Sequence, residues 1–147
     1  MVVMTAKFSK KKLLASLFAL VILVMLIACV LKGQGREEAA DGEAARREFL
    51  SSFGYEIKDG PAEQQSLRIP DTPSEVFERY NTLQKSQGYD LSSLAGQEVT
   101  RYVYELENDD DSGEQWYATI LEHDGEVVGG DISQRGGKMH GFQRPEA

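Results

Sequence analysis

The oxygen-rich run Glu107-Asn108-Asp109-Asp110-Asp111-Ser112-Gly113-Glu114 has the residue types that hold a hard cation such as calcium. An EF-hand loop starting at Asp109 requires glycine at its sixth place and glutamate at its twelfth. Those places hold Glu114 and Ile120, so the run reads as a solvated hairpin tip whose charge discourages edge association. The two histidines, His123 and His140, have no cysteine and no further histidine near them. A zinc site takes three or four ligands, and no spacing here supplies them. No metal and no cofactor is therefore expected.

Nucleophile motifs are equally sparse. Beyond the first 32 residues neither G-x-S-x-G nor S-x-x-K occurs, and Ser133 lacks an identifiable base. Paired carboxylates stay open as a hydrolytic device, because 24 acids always offer some pair, yet a sequence does not set two of them in one cleft. Val128-Gly129-Gly130-Asp131 lacks the helix N-terminus a phosphate loop requires, since Asp131-Ile132-Ser133 reads as strand. Glycines inside a strand mark a bulge or a closely packed helix, here letting Tyr80 or Phe77 rest on the sheet. No catalytic residue is singled out, and an enzyme is not expected.

The elements that would carry these residues follow from periodicity. Ala45, Phe49, Leu50 and Phe53 recur at helical spacing, predicting a helix that starts near Asp41 and is closed by Gly54. Tyr55-Glu56-Ile57 and Gln65 to Ile69 read as strands, separated by the turn Asp59-Gly60-Pro61. Thr72-Pro73-Ser74-Glu75 reads as a capping box on Thr72. Val76, Phe77, Tyr80, Leu83 and Gln87 follow as the inward stripe of a second helix, with Gly88 ending it. Glu98 to Glu107, Trp116 to His123 and Glu126 to Ser133 are rich in β-branched and aromatic residues and read as strands. Asp124-Gly125 predicts a type I′ hairpin, which sets Leu121 opposite Val128, Thr119 opposite Gly130 and Tyr117 opposite Ile132. Both faces of this hairpin are then apolar, so either each face carries a helix or one is kept for a partner.

The N-terminus dominates placement. Leu13 to Leu31 is an apolar run preceded by Lys7, Lys10, Lys11 and Lys12, and at helical rise it spans about 28 Å, close to the thickness of a bilayer core. The flanking lysines predict a cytoplasmic N-terminus and an outward C-terminal part. Residues 1–32 hold five of the 16 Lys and Arg and none of the 24 Asp and Glu, which leaves the remainder at net −13. Such a surface repels nucleic acid. Leu26-Ile27-Ala28-Cys29 also fits a lipobox, so lipidation of Cys29 stands beside an intact spanning helix, in which Cys29 is a small apolar residue. Ordinary signal cleavage would need an A-x-A site, which is missing near the end of the run. Cys29 is the sole cysteine, so the outer domain has no disulfide and rests on its core.

The predicted organisation is a basic cytoplasmic segment (1–12), a transmembrane helix (13–31), a linker (32–42), an extracytoplasmic domain (43–142) and a tail (143–147). The fold class is α+β, with two helices on a mainly antiparallel sheet in the order α-β-β-α-β-β-β. The blocks FLSSFGYEI, RIPDTPSEVFERYNTLQKSQGYDL, GQEVTRYVYELE, VVGGDIS and MHGF resemble a family of small membrane-anchored proteins from Gram-positive bacteria, the domain of unknown function numbered 4830. That resemblance implies an N-terminal anchor and one α+β domain, and it assigns no activity and no catalytic residue.

The expected function is thus a membrane-anchored, non-catalytic module binding a protein, a peptide or an envelope component outside the cell. Tyr102, Tyr104, Trp116 and Tyr117 are the candidate contact residues, each also suited to core packing. A protease-inhibitory or peptide-sensing domain that pairs a strand edge is the first alternative. A hydrolase using buried carboxylates is the second.

Overall fold

A computed structural model describes residues 10–107 and 113–143, with the course of the backbone alone for 10–19 and 29–39. Residues 1–9 of the basic segment, Asn108–Ser112 of the acidic run and residues 144–147 of the tail lie outside the described residues, as does the side chain of Cys29. The chain divides between Asp41 and Gly42 into two units.

Lys10–Ser52 forms one helix, α1, which corrects both the expected linker at 32–42 and the expected start at Asp41. Gly33, Gly35 and Gly42 each cost about 1 kcal/mol against alanine. They lie among Glu37, Glu38, Ala39, Ala40, Glu43, Ala44 and Ala45, whose helical preference carries the backbone through. Within the N-terminal unit, Leu20 to Ile27 are all exposed, from 46% at Ile22 to 73% at Met25. Among the described residues no helix is long and apolar enough to cross a membrane; of the run Leu13–Leu31, only Leu20–Ala28 have described side chains.

In the C-terminal unit Gly54 (φ 81°) closes α1. Its N–H donates to Ser51 O and that of Tyr55 to Leu50 O, the paired bonds of a Schellman cap. The second helix, α2 (Glu75–Ser86), ends identically: Gly88 N–H donates to Lys85 O and Tyr89 N–H to Gln84 O. Its start differs from expectation. Ser74, in extended conformation, accepts from Phe77 N–H and is the cap, so Pro73 and Thr72 precede the helix and no box forms on Thr72. The nearer hydroxyl already satisfies the first turn.

Five strands form one antiparallel sheet in sequence order: β1 (Glu63–Arg68), β2 (Glu98–Glu105), β3 (Trp116–His123), β4 (Glu126–Gln134) and β5 (Met139–His140). The strand expected at Tyr55–Ile57 reduces to a single bridge between Ile57 and Leu106. A 3-10 turn at Leu91–Leu94 and the short β5 were not anticipated from the pattern.

The Asp124-Gly125 turn has both residues at positive φ, 49° and 80°, as a type I′ turn requires. The expected register holds only next to it, where Glu122 faces Val127. A bulge at Leu121/Glu122 then shifts every later pair by one: Leu121 faces Gly129, Thr119 faces Asp131 and Tyr117 faces Ser133. Because side chains alternate, that shift moves Asp131 from the face of Ala118 to the face of Thr119.

Each sheet face carries a helix. Leu50 of α1 joins Tyr104, Ala118, Ile120, Ile132 and Phe142 in the larger core, with Phe49 and Phe53 against it. Arg46 clamps this side: its guanidinium lies 3.7 Å from the Tyr102 ring centroid, bonds the Tyr104 hydroxyl at 2.7 Å and pairs with Glu122 at 2.9 Å. The α2 side has a smaller core of Ile69, Leu91, Val99 and Leu121, flanked by Leu67, Phe77 and Tyr80.

Candidate functional site

The α2 side is thin because the helix presents amides to the sheet. Phe77, Tyr80, Asn81 and Gln84 recur at spacings of three, one and three, a helical row. Asn81 and Gln84 are buried to 1% and 0% exposure, whereas Val76, expected on the inward stripe, is 70% exposed. The Gln84 amide donates to Gly130 O at 3.0 Å and accepts from Gly130 N–H at 2.8 Å. Gln87 donates to the same carbonyl and accepts from Phe142 N–H at 2.7 Å. These side chains occupy the edge of β4 where β5 does not reach, and so take the place of a neighbouring peptide. Asn81 accepts from Leu91 N–H and donates to Asp90, tying α2 to the 3-10 turn. Hydrogen bonds from Ser92 and Asn81 hold the Asp90 carboxyl down at about 2.

The strand glycines admit these contacts. A Cβ at Gly130 would stand 2.1 Å from Thr119 O and 2.5 Å from the Phe142 ring, and one at Gly129 would stand 2.8 Å from Gln84 Oε1. The aromatic side chain expected from α2 is thus replaced by Gln84 on one side and Phe142 on the other.

Beyond the amides, α2 leaves a cavity of about 430 Å³. Leu67, Ile69, Phe77, Val99 and Leu121 give it apolar walls, with Met139, Arg68 and Pro70 at an exposed rim. Its polar groups are Tyr80, Arg101, Thr119, Asp131 and Ser133. Asp131 is only 3% exposed. The Tyr80 hydroxyl donates to its Oδ2 at 2.9 Å, while Oδ1 has no hydrogen-bond partner. Burial raises the Asp131 carboxyl above its usual range; Tyr80, Ser133, Arg101 and Thr119 pull the other way without overcoming it. The same desolvation, with the Asp131 charge, pushes the Tyr80 hydroxyl far up. Arg101 pairs with Glu63, yet its Nε is buried and has no partner.

A shallower groove of about 280 Å³ shares Arg101, Thr119 and Ser133 with the cavity. It continues over Val103 and Tyr117 to Arg135, whose guanidinium lies 5.6 Å from the Tyr117 ring centroid. Glu63 and Glu105 also line it, each held by a cation, Arg101 and Lys58 respectively. Among the described residues Asp131 is the single carboxylate lining the larger cavity.

The four aromatic candidates separate. Tyr117 lies on the open groove, while Tyr102, Tyr104 and Trp116 face α1. Tyr104 is fully buried, with its hydroxyl bonded to Arg46, and Trp116 packs at 5.6 Å from His140. His123 meets the Glu98 carbonyl at 2.8 Å. Among the described residues no group of three or more His, Cys, Asp or Glu could hold a metal ion.

A family model described as Domain of unknown function (DUF4830) matches residues 49–132, more than half of the chain. The chain belongs to the DUF4830 family. The match runs from the last turn of α1 to Ile132 in β4, and so includes Tyr80, Arg101 and Asp131 of this DUF4830 domain. No curated protein and no solved structure matches the chain.

Proposed function

We propose that this protein is a membrane-tethered, extracytoplasmic binding module whose recognition surface is the cavity and groove on the α2 side of its sheet. The observation that carries the reading is the open cavity of about 430 Å³, with the buried Asp131 among the residues that line it. Its volume and its mix of apolar walls with a few polar groups suit a small ligand or an inserted side chain. The row of exposed apolar residues from Leu20 to Ile27 supports the tether, since such a patch left in water favours association. The positive flank before the run supports an outward head.

The outermost position of β1 favours a second reading, in which a peptide adds to its outer edge as in a sensing or inhibitory domain. One experiment separates the two. A photoreactive residue is placed at Tyr117 or at Gln64 in the tethered protein, in cells of the native host. Capture from position 117 supports the groove, and capture from 64 alone supports the edge. If neither position captures anything, the binding reading falls.

A further inference from the structure

The two edges of the sheet are finished differently. On β4 the Gln84 and Gln87 amides fill the edge that β5 does not reach, whereas among the described residues no strand lies beyond β1. Glu63–Ser66 and Arg68 are exposed. The strand has no proline and no lysine, two of the devices that keep an edge from pairing. We infer that β1 pairs antiparallel with β1 of a second copy of this chain, about a two-fold axis normal to the sheet at Ser66.

The register follows from the backbone. Ile69 N–H donates to Gln97 O, and Ile69 O accepts from Gly96 N–H. By alternation Gln64, Ser66 and Arg68 therefore turn their peptide groups away from β2. An axis normal to the sheet matches each face to itself, and the register centred on Ser66 uses all three of these residues. Gln64 then faces Arg68 of the second copy, Gln65 faces its Leu67 and Ser66 faces its Ser66, so no like charges stand opposite one another. With one acid and one base, β1 is neutral, whereas the chain beyond residue 32 is at net −13 and like-charge repulsion otherwise opposes self-association. The axis also leaves α1 of both copies on one face, as two chains tethered to one membrane require. Pairing of one short edge falls below the roughly 1,000 Å² of a stable interface, so the contact draws on the local concentration that a shared membrane supplies.

The test uses the full chain in membranes of the native host, treated with a mild thiol oxidant. Ser66→Cys sets two thiols across the axis at a Cα separation of about 5.5 Å, within disulfide reach. Gln64→Cys sets them about 15 Å apart, beyond it. Ser66→Cys is therefore expected to give at least about fivefold more covalent dimer than Gln64→Cys, with the native chain, which keeps Cys29, as background. Co-purification of two differently tagged copies gives a second readout. Ser66→Pro removes an outward N–H and no bond to β2, and should abolish co-purification while leaving the near-ultraviolet circular dichroism unchanged. Equal dimer yields at positions 64 and 66 overturn the inference. No dimer at 66 overturns it too and leaves the edge to a peptide. A folded Ser66→Pro chain that co-purifies as well as the native one does the same, and should that variant fail to fold, the cysteine comparison decides alone.

Discussion

Asp131 shows how one carboxylate can sit at the balance between stability and use. Its carboxyl is raised by burial, so the folded protein holds this proton at a pH where the unfolded chain has released it. The stabilisation is therefore complete below the ordinary carboxylate range near 3.9 and is lost as pH climbs through the raised folded value. Asp131→Asn removes that dependence. Its urea midpoint at neutral pH should exceed the native one, by about 1–3 kcal/mol of unfolding free energy, and the difference should vanish in acid. A variant less stable than the native chain at pH 7 would show that the carboxylate is well paired in the fold. The sequence held a trace of this site: Arg101 and Asp131 are charges at the centres of otherwise apolar or β-branched strands. The charges were visible; their shared face depended on the bulge at Leu121/Glu122, and hairpin chemistry alone sets the register only beside the turn.

At the scale of elements, β2, β3, β4 and both helix ends were legible, because alternation, Asp124-Gly125, Gly54 and Gly88 are strong local signals. The inward face of α2 was not. Hydropathy ranks Asn81 and Gln84 as surface residues and Val76 as core, yet the amides reach backbone groups that an apolar side chain would leave unpaired. The continuity of α1 was also hidden, since Lys32-Gly33-Gln34-Gly35 has the composition of a linker. The role of Gln84 is testable. Gln84→Leu keeps about the same volume but strands Gly130 N–H, and should cost about 2–4 kcal/mol in urea unfolding. Leu83→Gln on the half-buried neighbour should cost less. If the two costs were reversed, the helix would be held by its apolar contacts and the amide pairing would be incidental.

At the scale of the molecule, both cores, the sheet, the Arg46 clamp and the cavity are built from residues 42–147. About 106 residues can support a core of their own, which matters for a chain whose single cysteine lies at position 29 and gives this unit no disulfide. Arg46, which bonds the Tyr104 hydroxyl, lies a turn after Gly42, so removing the earlier helix leaves the clamp and Leu50 in place. The 42–147 fragment should therefore unfold in one cooperative urea transition, with coincident far-ultraviolet and near-ultraviolet circular dichroism curves. A fragment that kept its helical signal but lost the aromatic one would show that tertiary packing on the α1 face depends on the preceding turns.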